Sequence, residues 1–77
     1  MIFYVKTVTG MQIARFDMAG DTLLRDVKRA IERKNGIPVD EQRLIYRGRD
    51  LEKERTLDDY NVLDNAILHF ISRLQGG

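Results

Sequence analysis

Apolar and polar residues alternate along the first eighteen residues as they do in a pair of neighbouring β-strands. The segment IFYVKTVTG is rich in β-branched and aromatic residues and closes on Gly10, which predicts a strand followed by a turn. In MQIARFDM, the alternation of Ala14, Phe16 and Met18 predicts a second strand. Ile13 is out of phase with these residues, and a β-bulge in the second strand would reconcile the two registers.

The clearest helical pattern lies between Thr22 and Lys34. Leu24, Val27 and Ile31 recur at intervals of three and four residues, which places them in one stripe along a helix. Charged residues fill most of the remaining positions in this segment. The sequence therefore predicts an amphipathic helix that buries one face.

Signals for the start and the end of this helix stand on either side of it. Asp21 or Thr22 can cap the first turn, because either side chain can accept a hydrogen bond from a free backbone amide. Asn35 and Gly36 can adopt the left-handed conformation that ends a helix, and Pro38 prevents the helix from resuming.

The second half of the chain has the pattern of three further strands. A third strand is predicted from Arg43 to Tyr46, with a turn at RGR and a short return strand around Leu51. One short helical turn is predicted near Leu57 to Tyr60, and AILHFISRL forms the last strand. The order of elements predicts an α+β fold in which one main helix lies across a mixed sheet of four to five strands. No linker rich in Pro, Ser or Gly interrupts the chain, so we expect residues 1–77 to form one domain.

The last strand carries apolar side chains on both of its faces. Alternation puts Leu68 and Phe70 on one face, and Ile67, His69 and Ile71 on the other. One helix can cover only one face of the sheet, so one of the two sets stays exposed. A neutral imidazole costs less to leave in water than to bury without partners, so we expect the set that contains His69 to face outward.

Two other segments can add apolar residues to this exposed set. If Leu44 faces the helix, Ile45 faces outward beside His69 and Ile71, and Val8 at the tip of the first hairpin extends the patch. Isolated apolar residues on a surface are ordinary and need no function. A contiguous patch drawn from three segments is more typical of a protein-binding surface. We therefore predict a binding patch at these four residues.

Composition excludes several classes of partner and of catalytic or metal site. The 77 residues hold 13 basic and 12 acidic side chains, so no broad charge draws the chain toward nucleic acid or a membrane. No apolar run is long enough to span a bilayer, and we expect a soluble protein. The absence of cysteine excludes disulfides, thiolate metal sites and a cysteine nucleophile. The only serine and the only histidine, Ser72 and His69, stand on opposite faces of the last strand and cannot form a catalytic pair. We expect neither an enzyme nor a metal or cofactor site.

Several segments of the sequence resemble the ubiquitin family at matching spacing. VKT.TG lies near the start, NGIP..EQRLIY.GR.LE..RTL.DYN lies in the middle, and LH precedes a terminal GG. The resemblance covers essentially the whole chain and implies the β-grasp fold, in agreement with the predicted order of elements. The chain is one residue longer than the family pattern, between Gly10 and Val27. The extra residue lies either at the start of the helix, near Asp21, or in the second strand, and both positions remain open.

The resemblance implies a role for the C-terminal tail, residues 72–77, which we expect to be flexible. In ubiquitin-like modifiers the carboxylate of the last glycine is activated with ATP and becomes an amide on a target lysine, which assigns conjugation to Gly76 and Gly77. Arg73 matches the tail arginine that the ubiquitin-activating enzyme recognises, whereas Gln75 replaces a second arginine. The family's hydrophobic binding patch corresponds to Val8, Ile45, His69 and Ile71.

The lysines match the family only in part. Lys6, Lys28 and Lys34 correspond to family lysines and are possible acceptors for chain formation. Arg49 and Asp64 stand where the lysines of the two commonest ubiquitin chain types lie. Neither residue can accept an isopeptide bond, because arginine stays cationic and aspartate has no amine.

The resemblance leaves two main interpretations open. The first is a monomeric covalent modifier in the cytoplasm, the nucleus or both. Its partners would be activating, conjugating and ligase enzymes, and ubiquitin-binding domains or proteasome receptors. The second is a non-covalent ubiquitin-like domain of a larger protein that docks on ubiquitin receptors or the proteasome through the same patch. A nucleic-acid-binding module is a remote third alternative.

Overall fold

The computed structural model describes residues 1–72, and the tail residues Arg73, Leu74, Gln75, Gly76 and Gly77 lie outside that part. The described chain contains five strands and one α-helix, in the predicted order. Short 3-10 turns lie at Val39–Glu41 and at Asp58–Tyr60, the second of them where the sequence predicts a helical turn. The elements are β1 Ile2–Thr7, β2 Gln12–Asp17, α1 Leu24–Asn35, β3 Gln42–Tyr46, β4 Arg49–Asp50 and β5 Ala66–Ser72.

The five strands form one mixed sheet in the order β2-β1-β5-β3-β4. β1 and β5 run parallel in the centre, whereas the β1–β2, β3–β4 and β3–β5 pairs are antiparallel. α1 lies between the two parallel central strands in sequence, and its apolar stripe packs on one face of the sheet. This architecture is the predicted β-grasp fold of class α+β, with one helix on a five-stranded sheet.

The first hairpin contains the β-bulge that the apolar phases require. Val5 pairs with Ala14, but the next residue, Lys6, pairs with Gln12, so Ile13 is an extra residue in β2. The bulge lets Ile13 and Ala14 both contact the core although they are adjacent in the chain. This irregularity favours β2 over the start of the helix as the place of the additional residue.

The helix begins later than predicted, and the predicted side-chain cap is wrong. The first helical residue is Leu24, and Leu23 holds the cap position without any side-chain hydrogen bond. Asp21 and Thr22 therefore do not cap α1. The backbone around Thr22 is held elsewhere, since its carbonyl accepts a 3.1 Å hydrogen bond from the Leu57 amide.

A backbone turn formed by residues 52–55 caps the helix instead. The Leu24 amide donates to the Arg55 carbonyl at 2.8 Å, and the Arg25 amide donates to the Lys53 carbonyl at 3.1 Å. The turn is closed by the Arg55 amide, which donates to the Glu52 carbonyl at 3.1 Å. Carbonyl groups thus satisfy the free amides at the helix start, so a capping side chain has nothing left to satisfy.

The end of the helix follows the prediction. Gly36 has a left-handed φ of 75°, and its amide donates to the Glu32 carbonyl at 2.7 Å. The buried Gln42 side chain then links the helix to β3, because its amide nitrogen donates to the carbonyls of Lys28 and Ile37 at 2.8 and 2.9 Å. These bonds fix the helix over the strand that carries Leu44.

The core lies between α1 and the inner face of the sheet. All three residues of the predicted helical stripe have no exposed surface. Among residues 1–72, no helix is long and apolar enough to cross a membrane. The buried apolar residues are Phe3, Val5, Ala14, Leu24, Val27, Ile31, Leu44, Leu51, Leu57, Val62, Ala66, Leu68 and Phe70.

Candidate protein-binding face

Side chains of β5 alternate between the core and the surface as predicted. Leu68 and Phe70 are 0% and 5% exposed, whereas Ile67 is 39% exposed. His69 is also exposed, and Ile71 is half-buried. Because α1 covers the first set, the second set lies on the uncovered side of the sheet, which we call the open face.

Strand pairing brings the predicted patch residues of β3 and β5 together with a lysine of β1. Ile45 of β3 pairs with His69 of β5, and Lys6 of β1 pairs with His69 from the other side. Ile71 pairs with Arg43, one alternation further along β5. Paired residues share a face of the sheet, so all five lie side by side on the open face.

Val8 lies at the edge of this group. It follows the last residue of β1, Thr7, which pairs with Phe70 of β5. Its side chain is 72% exposed in the turn between β1 and β2. The structure therefore places Val8 at the end of the open face where β5 reaches Ile71, and the binding role of the four patch residues stays a prediction.

Sequence reasoning missed one apolar member of the open face. Tyr4 pairs with Ile67, two residues before the Lys6–His69 pair, so its half-buried ring lies on the same side of the sheet. The signal is present in the sequence, since Tyr4 and Lys6 are two apart in one strand. Tyr4 and Ile67 extend the apolar surface beyond the predicted patch.

An ion pair borders the apolar residues on the β3–β4 side of the open face. Arg43, which pairs with Ile71, donates to Asp50 at 3.0 Å, and Asp50 pairs with Ile45. Arg49 pairs with Tyr46, which packs against the core, so Arg49 lies on the other face of the sheet from Ile45. The charge of Arg43 is thus balanced on the open face, and apolar side chains are what this surface offers a partner.

The predicted tail sites lie beyond the residues that the structure describes, whereas the predicted acceptor lysines lie within them. Conjugation residues Gly76 and Gly77 and the recognition residues Arg73 and Gln75 lie outside the described residues. Ser72, with which the predicted tail begins, still pairs with Gln42 as the last residue of β5. Of the lysines predicted as acceptors, Lys6 lies on the open face, Lys34 is exposed in the last helical turn, and Lys28 is only 9% exposed.

Asp64, which the resemblance aligns with a chain-forming lysine, makes a structural hydrogen bond in this protein. Its carboxylate accepts a 2.7 Å hydrogen bond from the Ile2 amide and ties the start of β1 to the loop before β5. We expect Asp64→Ala to lower the free energy of unfolding by about 1–2 kcal/mol, because a charge-assisted hydrogen bond is lost. Urea denaturation measures this, and Asp64→Asn, which keeps an acceptor oxygen, should lose less. An unchanged midpoint for Asp64→Ala would show that this bond does not stabilise the fold.

One carboxyl group has a clearly shifted pKa. The hydrogen bond from the Thr56 amide to Asp59, 2.9 Å long, lowers the pKa of the Asp59 carboxyl below its ordinary value. The Asp59 amide in turn donates to the Thr56 hydroxyl at 3.1 Å. This reciprocal pair shapes the 3-10 turn and lies away from the open face.

Comparison with known proteins identifies relatives across the whole chain. The ubiquitin family model matches residues 3–75. Ubiquitin-like protein 1 of Schizosaccharomyces pombe is 34% identical over 77 residues, which are 100% of this chain and 97% of the relative. NEDD8-like protein RUB1 of Saccharomyces cerevisiae is 35% identical over the same length, covering 99% of that protein.

A match of another kind involves a much longer protein. The large proline-rich protein BAG6 of Danio rerio is 41% identical over 69 residues, which are 90% of this chain but 6% of that protein. The same type of domain thus occurs both in proteins of this length and inside larger ones. The chain belongs to the ubiquitin family, whose members are small modifiers or domains rather than enzymes.

Proposed function

We propose that this chain is a ubiquitin-like protein modifier that is joined to target lysines through Gly77 and recognised through the open face. The observation that carries the proposal is the end-to-end match to modifier-type relatives: the chain aligns over its full length with 99% of NEDD8-like protein RUB1. The exposed apolar residues on the open face support the recognition half, since a contiguous apolar patch is typical of a protein-binding surface.

The conjugation chemistry requires a free carboxylate at Gly77. ATP converts this carboxylate to an acyl adenylate with release of pyrophosphate, and an enzyme cysteine then displaces AMP to give a thioester. Attack by a lysine amine on the thioester carbonyl forms the amide and releases the thiol. Gly76 and Gly77 suit this path because a backbone without Cβ atoms can pass through a narrow channel.

Two substitutions define what kind of modifier this would be. Arg49 and Asp64 replace the lysines of the two commonest ubiquitin chain types, so those chains cannot form on this protein. We therefore propose signals that differ from the main ubiquitin chains. The proposed partners are activating, conjugating and ligase enzymes of a ubiquitin-like pathway and ubiquitin-binding domains or proteasome receptors, in the cytoplasm, the nucleus or both.

A second candidate function is a non-covalent interaction domain. The match to a segment that forms 6% of BAG6 favours it, because a domain of this type occurs there within a much larger protein. Such a domain would use the open face for docking and would need no free glycine carboxylate. The two candidates differ only in the chemistry at Gly77.

A thioester assay tests the modifier proposal. The protein ending at Gly77 is incubated with ATP, magnesium and purified activating enzymes for ubiquitin and for NEDD8-type modifiers from the source organism. We expect a conjugate on the enzyme cysteine that disappears with reductant, and none when Gly77 is deleted. If neither enzyme forms an adenylate or a thioester, the modifier proposal is wrong and the interaction domain is favoured.

Arg73 allows a further discrimination in the same assay. Its match to the ubiquitin tail arginine favours charging by the ubiquitin-activating enzyme, although the full-length relatives include NEDD8-like proteins. We expect Arg73→Ala to reduce charging by that enzyme, whereas Gln75→Arg should keep or improve it. Equal charging of the original chain and Arg73→Ala would contradict a recognition role for Arg73.

A further inference from the structure

We propose that Lys53 is an acceptor site at which a second copy of this chain is attached, leaving Ile45 and His69 of the acceptor copy uncovered. This inference rests on the proposed function, because it needs a copy activated at Gly77. The position is not among the lysines that the family resemblance carries over. The sequence holds four lysines, and their positions in the fold distinguish Lys53 from the other three.

Lys53 stands at the tip of a tight and anchored turn. The hydrogen bond from the Arg55 amide to the Glu52 carbonyl closes the turn, with Lys53 and Glu54 as its two central residues. The Lys53 carbonyl accepts from the Arg25 amide at 3.1 Å, which fixes the backbone of the turn. The side chain of Lys53 is exposed and forms no ion pair within residues 1–72. The Lys53 amine is therefore accessible on a turn whose backbone is fixed by hydrogen bonds.

The turn lies on the helix side of the molecule. Its carbonyls cap the first turn of α1, and α1 packs on the sheet face opposite to Ile45 and His69. The turn also borders a cleft that is lined by Arg43 and Asp50 but not by Ile45 or His69. A second copy joined at Lys53 is therefore attached at the helix start and the edge of the sheet, and not over Ile45 and His69. Recognition through the open face and conjugation at Lys53 can then occur together.

The other lysines are less suited to this combination. Lys28 is only 9% exposed, so its amine is less accessible to a bulky enzyme thioester than that of Lys53. Lys6 pairs with His69 on the open face, and a copy attached there would cover the binding patch. Lys34 is exposed in the last turn of α1, but it lies on the regular helix rather than in a turn between elements. Among the lysines, all of which lie within residues 1–72, Lys53 combines exposure, an anchored turn and a position away from Ile45 and His69.

The proposed step is aminolysis of a thioester. The neutral Lys53 amine attacks the Gly77 carbonyl carbon of the second copy, the new C–N bond forms and the C–S bond breaks. The amine proton is transferred to the departing thiolate, which leaves as a thiol. No oxidant, reductant or further ATP is consumed once the thioester exists.

Mass spectrometry of self-conjugates tests the site. Charged protein is allowed to react with the conjugating enzyme present, and trypsin, which cleaves after Arg73, leaves the remnant LQGG on each modified lysine. We expect the remnant mainly on Lys53, and loss of most self-conjugate in Lys53→Arg. The matched control Lys34→Arg should keep most of it. Conjugates found on Lys6 or Lys34, with Lys53 unmodified, would overturn the inference and leave the modifier proposal intact.

An enzyme-free measurement keeps the two proposals separable. The folded protein is treated with a small N-acetylglycine thioester, and the acylation rate of each lysine is followed by mass spectrometry. We expect Lys53 to react severalfold faster than Lys28, with the difference lost in denaturant. Equal rates in the folded protein would refute the exposure on which the inference depends, whether or not any activating enzyme accepts the chain.

Discussion

Leu68→Ala is expected to lower the free energy of unfolding by about 2–5 kcal/mol. Leu68 has no exposed surface, and it sits in the central strand β5, where it pairs with Val5 of β1. Truncation to alanine removes buried methyl groups and leaves a cavity between α1 and the sheet that the close-packed core cannot fill completely. Chemical denaturation, with the free energy extrapolated to water, measures the loss.

Ile67→Ala is the matched control for this prediction. It removes the same number of carbon atoms one residue earlier in the same strand, but Ile67 is 39% exposed on the open face. Its cost should therefore be clearly smaller than that of Leu68→Ala. If the two variants lose equal stability, or if Leu68→Ala loses none, then Leu68 does not face the core and the register of β5 is inverted.

Ile45→Ala is expected to show the opposite pattern, a large loss of binding with a smaller loss of stability. Ile45 is half-buried beside His69 at the centre of the open face. Central apolar residues of a binding patch often contribute about 2 kcal/mol or more, which corresponds to about thirtyfold in affinity. Titration calorimetry with a purified ubiquitin-binding domain measures the affinity, and thermal unfolding measures the stability.

Arg29→Ala provides the control surface for this experiment. Arg29 is exposed on α1, where it contacts Asp26 at 3.7 Å, on the side of the molecule opposite to Ile45. Its substitution should leave the affinity within the error of measurement. Were Ile45→Ala to bind as well as the original chain, or to melt as early as Leu68→Ala, the assignment of Ile45 to a binding face would fail.

The sequence predicts the sheet and the open face well because their signals are local. Period-two alternation determines which β5 side chains point outward, and only one helix is available to cover the sheet. The out-of-phase Ile13 likewise indicates a bulge, which the structure places at that residue. In these cases the side-chain pattern of a single segment is enough to predict which side chains face outward and where the bulge lies.

The start of the helix and the accessibility of the lysines depend on contacts between distant segments. The carbonyls that cap α1 come from Lys53 and Arg55, far along the chain from the helix start, so a local cap signal at Thr22 is misleading. The burial of Lys28 follows from its place next to the core stripe of α1, although its charge indicates exposure. Tertiary contacts decide such features, and single-segment patterns do not contain them.

A nuclear magnetic resonance titration tests the central claim, that partners recognise the open face, most directly. Isotope-labelled protein is titrated with an unlabelled ubiquitin-binding domain, and the backbone amide shifts are followed along the chain. We predict that the largest changes cluster at Ile45, His69 and Ile71 and extend to Val8, with α1 unaffected. Shift changes concentrated on the outer surface of α1, without changes in β3 and β5, would contradict the claim.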